Sequence, residues 1–85
     1  MQIPDSEAAE IRNRLARAQG QIGGVLRMLE EGRDCSDVIT QLAAAQAAVS
    51  RAAFKLLSSG IAACESGSAG ERDRSRLEKA FLALS

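Results

Sequence analysis

The chain has no histidine, no tryptophan and no tyrosine, and only two phenylalanines and one proline among its 85 residues. Without histidine there is no Ser-His-Asp or Cys-His pair, and no zinc site that depends on imidazole. Phosphate-cradling loops and clustered carboxylates are missing as well, so the sequence points away from an enzyme. Net charge is also absent: 11 Lys and Arg balance 11 Asp and Glu. No global field then draws in nucleic acid or a membrane, and either partner would have to be met by a local patch. No stretch of 18 apolar residues occurs, nor a basic-then-apolar leader. Neither a membrane span nor a signal peptide is read, and a cytoplasmic location is expected. In that compartment two cysteines are reduced, metal-binding or redox-reactive rather than a permanent staple. Aromatic poverty also makes a thin core: 46% of the chain is apolar, but much of that is alanine. One domain of this length is marginal as a monomer, so oligomerisation is the default expectation.

What the chain does have is helical periodicity. Between Cys35 and Cys64 there is no proline, and Gly60 is the one glycine. Val38, Leu42, Ala45, Val49, Ala52 and Leu56 follow one 4-3 seam; Ile39, Ala43, Ala53, Leu57 and Ile61 follow its neighbour. A helix apolar over two adjoining stripes must bury against more than one partner. The cysteines stand 29 positions apart, which at about 100° per residue is roughly eight turns plus 20°. Both thiols thus project from nearly the same face, but about 43 Å apart along the axis. They cannot meet within one straight helix. Two copies packed antiparallel about an axis near Val49 and Ser50 would set Cys35 of each beside Cys64 of the other, making two equivalent sites.

Upstream, Pro4 with Asp5 or Ser6 as N-cap forms a helix start. Ile11, Leu15, Ala18, Ile22, Val25 and Leu29 then alternate by four and three, a coiled-coil-like seam. Gly20, Gly23 and Gly24 interrupt it; close approach by another backbone and a plain weak spot are the two explanations. Gly32 suits the left-handed residue that ends the helix, and Asp34 the N-cap of the next. That places Cys35 in a first turn, where the dipole and unpaired amides favour an anion. Ser66, Gly67, Ser68, Ala69 and Gly70 read as a flexible loop. A last short helix follows, with Leu77, Phe81 and Leu84 as its apolar stripe. The expected elements are helices over about 6–31, 35–65 and 71–84 in a single domain. Two long antiparallel helices make a hairpin, and two hairpins a four-helix bundle.

Two groups of residues could carry chemistry. Cys35 and Cys64 are either small core hydrophobes or soft ligands and nucleophiles. Two thiolates could bind Cu(I), but they make an incomplete site for zinc; they could also be oxidised or bridged by extra sulfur. Among the cations, Arg14 and Arg17 share a helix face, as do Arg51 and Lys55. They form either a solvated surface balanced by Glu7, Glu10, Glu30 and Glu31, or a patch that symmetry extends along a duplex. No helix-turn-helix, zinc-finger or basic-zipper signature is present.

Three segments of the sequence carry a family resemblance: RLARAQGQIGGV from Arg14, RMLEEGRDC from Arg27 to Cys35, and DVITQL from Asp37. They resemble the CsoR/RcnR/FrmR repressors, bacterial sensors of copper, nickel or cobalt, formaldehyde, or reactive sulfur. The resemblance spans roughly residues 8–65; beyond that only helical character matches. It implies an all-α, three-helix protomer, an antiparallel dimer with a four-helix core, and a dimer of dimers. Such a homo-oligomer binds operator DNA, and its inducer weakens that binding. On the positions the family uses for DNA lie Arg14 and Arg51. The family's copper sensors place a histidine four residues before the second cysteine, and here Gly60 stands there. Nickel and cobalt sensors need several histidines, and formaldehyde sensors an N-terminal proline where this chain has Gln2. Two cysteines without an intervening ligand resemble the persulfide-sensing, CstR-like branch, although that branch has another residue at the Gly60 position. The expected function is a repressor that releases DNA when persulfides or polysulfides link Cys35 to Cys64 of the other protomer through two to four sulfurs. A Cu(I) sensor using the same two thiolates, with Cu(I) as its cofactor, is the alternative. A helical adaptor with inert cysteines is a further one.

Overall fold

The computed structural model describes residues 2–65 and 70–84, without the side chains of Cys64 and Glu65. Among the described residues there are three α-helices and no strand: α1 (Asp5–Glu30), α2 (Cys35–Glu65) and α3 (Glu71–Leu84). The all-α, three-helix protomer read from periodicity is the one observed. Of the loop expected over residues 66–70, residues 66–69 lie outside the described residues, and Gly70 immediately precedes α3.

Helix α1 starts earlier than its sequence signal suggests. The Ala8 amide bonds the Pro4 carbonyl at 3.0 Å, so Pro4, rather than Asp5 or Ser6, occupies the capping position. A cap must supply a carbonyl to the first turn, and proline does this without a wasted N–H. Asp5 and Glu7 then lie in the first turn, where carboxylates complement the dipole. The other end closes at Gly32, whose φ of 69° is left-handed. Its amide bonds the Leu29 carbonyl at 3.2 Å, and Arg33 bonds back to Met28 at 3.0 Å. That pair of bonds is a Schellman motif, which satisfies two carbonyls the helix end would otherwise leave open.

The chain divides into two compact units. The unit Arg12–Ala52 is a helical hairpin whose buried residues recur at every seventh position. Ala18 and Val25 come from α1; Val38, Ala45 and Ala52 come from α2. Three of the five are alanines, which let the helices approach closely. The alternate seam positions Leu15, Ile22, Leu29, Leu42 and Val49 stay 41–60% exposed. One residue per heptad is thus closed within the hairpin and the other is left open. Side chains alone come near the three α1 glycines: an added methyl would meet nothing within 4 Å at Gly20, and only Arg27 or Gln41 side-chain atoms at 3.6–3.8 Å at Gly23 and Gly24. Of the two explanations, backbone approach within the protomer is therefore not found.

The unit Met1–Ile11 with Ala53–Ser85 buries Ile11, along with Ser59 and Gly60 of α2. Helix α2 remains α-helical through Gly60. Helix α3 has no buried residue. An open groove is lined mainly by apolar residues, including Leu57 and Ile61 of α2 and Leu77 and Phe81 of α3.

Candidate functional site

Cys35 is the first residue of α2, and its free thiol is exposed. The turn that presents it is built by Asp34. Its carboxylate accepts the Ser36 amide at 3.0 Å and a short hydrogen bond from the Ser36 hydroxyl; its carbonyl takes the Asp37 and Val38 amides at 3.1 Å each. The Ser36 hydroxyl, then the Ser36 and Asp37 amides, hold the Asp34 carboxyl below its usual value of 3.8. Cys35 therefore follows a fixed carboxylate and begins a helix whose Ser36, Asp37 and Val38 amides are already taken by Asp34. Gly60 is buried and carries no donor, and the Cys64 thiol lies outside the described residues. Among the described residues, no group of three or more His, Cys, Asp or Glu is placed to hold a metal. None of the described helices is long and apolar enough to cross a membrane.

The cationic candidates do not share one environment. Arg14, Arg17 and Arg51 are exposed. Lys55 is not an open cation: its ammonium lies 3.7 Å from Glu7 Oε1 and 3.7 Å from Glu10 Oε2. The Glu7 oxygen also accepts a 3.1 Å hydrogen bond from Ser59, which is only 2% exposed. Charge spacing alone reads Glu7 and Glu10 as solvated balance and passes over Ser59. A signal is nonetheless present, because Ser59 continues the series Val38, Ala45, Ala52 at the next seventh position. A hydroxyl in an otherwise apolar register implies a hydrogen-bond partner.

The candidate site is thus a helical hairpin with an exposed cysteine opening its second helix and exposed arginines on both helices. The chain belongs to the family of metal-sensitive transcriptional repressors, whose sequence model matches residues 7–84. It is 43% identical over 51 residues, 60% of the chain, to the copper-sensing transcriptional repressor CsoR of Bacillus subtilis, covering 50% of that protein. It is 41% identical over 51 residues, again 60% of the chain, to the copper-sensing transcriptional repressor RicR of Mycobacterium tuberculosis, covering 53% of it. The match thus spans about half the length of these curated relatives. A crystal structure of the copper-sensing repressor CsoR with Cu(I) from Geobacillus thermodenitrificans superposes with a TM-score of 0.79 at 30% identity, covering 99% of this chain and 92% of that one.

Proposed function

We propose that this chain is a DNA-binding transcriptional repressor that releases its operator when Cu(I) engages Cys35 and Cys64. What supports copper is the donor chemistry together with the relatives named above as copper sensors. The chain lacks histidine and has two cysteines, and soft thiolates favour Cu(I) over harder ions. With Gly60 where the family's copper sensors place a histidine, the proposed site is two-coordinate sulfur rather than sulfur and nitrogen. It is completed between protomers, for which the exposed half-seam of Leu15, Ile22, Leu42 and Val49 offers the contact. Arg14, Arg17 and Arg51 supply phosphate contacts, and Lys55 is held in reserve.

Gly60 favours a second reading, reactive sulfur. A thiolate takes the terminal sulfur of a persulfide RSSH, forming protein-SSH and releasing RS⁻. The second thiolate then attacks the inner sulfur, forming an inter-protomer disulfide and releasing HS⁻. A Cu(I) titration against a competing chelator, followed by DNA-binding anisotropy, tests the first reading. Stoichiometric Cu(I) uptake with a loss of DNA affinity of about 5- to 150-fold is expected. Absent uptake, combined with covalent dimers joined through Cys35 and Cys64 after persulfide treatment, transfers the assignment to the second. If neither occurs and no DNA binds, the chain is a helical adaptor.

A further inference from the structure

We propose that Glu7 and Glu10 set the DNA affinity of this repressor by holding the Lys55 ammonium away from phosphate, an inference that rests on the DNA-binding reading above. Lys55 is flanked by both carboxylates at 3.7 Å, with its side chain 32% exposed. An isolated surface pair of this kind would yield readily to a phosphate. Here the Glu7 carboxylate is anchored by the Ser59 hydroxyl at 3.1 Å, a group almost wholly buried. The acceptor is thus fixed before the cation arrives, and holding Lys55 costs less side-chain entropy than a free pair would. The same three residues therefore form an attenuator: one cation is withheld from phosphate.

The test compares wild type, the double variant Glu7→Gln/Glu10→Gln, the single variant Glu10→Gln, and Lys55→Met made in the wild-type and double-variant backgrounds. Each is titrated with a long mixed-sequence duplex between about 50 and 200 mM salt, because phosphate contacts do not depend on sequence. Glutamine keeps an acceptor for Ser59, and Glu10→Gln alone leaves that bond untouched should the double variant fail to fold. The double variant should bind about three- to tenfold more tightly at low salt, with a salt slope steeper by about 0.9, the value of one added phosphate contact. Glu10→Gln should move part of the way. Lys55→Met should cancel that gain in the double variant and change wild-type binding by less than about twofold. Equal losses from Lys55→Met in both backgrounds would show Lys55 already on DNA and overturn the proposal. So would glutamine variants that bind no more tightly than a wild type that does bind. If neither wild type nor any variant binds duplex, the repressor reading itself falls and takes the attenuator with it.

Discussion

Asp34 and Ser36 are joined twice, through the Ser36 amide and through its hydroxyl, both ending on the same Asp34 carboxylate oxygen. These two hydrogen bonds to one oxygen close the first turn of α2 and fix the residue between them, Cys35. Asp34→Ala removes both bonds and should lower the melting temperature by about 5 °C, a shift typical of one lost cap in a domain this small. The folded-state carboxyl titrates below its ordinary 3.8. Asp34 therefore contributes stability that is fully present above that value and is lost as pH falls through the lower folded value. Asp34→Asn should keep much of the cap but lose this acid-range dependence. Thermal melts of both variants from neutral to acid pH check it; identical pH profiles for the Asp34→Asn variant and wild type would refute the assignment.

Gly32 stands at φ 69° with its own amide on Leu29. Nothing lies within 4 Å of an added methyl, so the cost of Gly32→Ala is conformational rather than steric, about 1–2 kcal/mol. Urea unfolding measures it directly. A variant as stable as wild type would mean that the turn relaxes out of the left-handed region.

Gly20 is the opposite case, a helical glycine with open space around it. Gly20→Ala should stabilise the protomer by about 0.5–1 kcal/mol, since alanine restricts the unfolded chain and favours the helix. If the variant instead loses its self-association in sedimentation, the glycine is kept for a second copy to approach.

Periodicity and turn chemistry make the order of helices legible. Gly32 and Asp34 are signals that local backbone physics obeys whatever the tertiary context. Each 4-3 seam is also legible as apolar, but not which half of it closes within the hairpin. Alternation makes Ala18 and Leu15 equivalent in the sequence, yet the structure buries the alanine and exposes the leucine. Close helix approach selects the small residue, a three-dimensional constraint with no sequence mark. The Lys55 environment is illegible for another reason. Its partners are about 45 positions away, and charge spacing along one helix says nothing about carboxylates brought from another.

Val49 gives the strongest test of the assembly. It lies 41% exposed in the hairpin unit, in line with Leu42 on the unclosed half of the seam. Val49→Asp therefore removes little from the protomer. In an antiparallel pair centred near Val49 and Ser50, however, the two new carboxylates would face each other in a desolvated contact. Like charges so placed cost several kcal/mol, enough to separate a dimer at ordinary working concentrations. Sedimentation should show monomer where wild type is oligomeric, with any loss of helix limited to what assembly had stabilised. Covalent coupling of Cys35 to Cys64 of another copy should vanish in the same variant, since each site needs two chains. Arg17→Ala, on the exposed surface of α1, should leave the oligomer intact and serves as the control. A Val49→Asp protein that sediments like wild type and still couples its cysteines would place the contact elsewhere, and the two-protomer site with it.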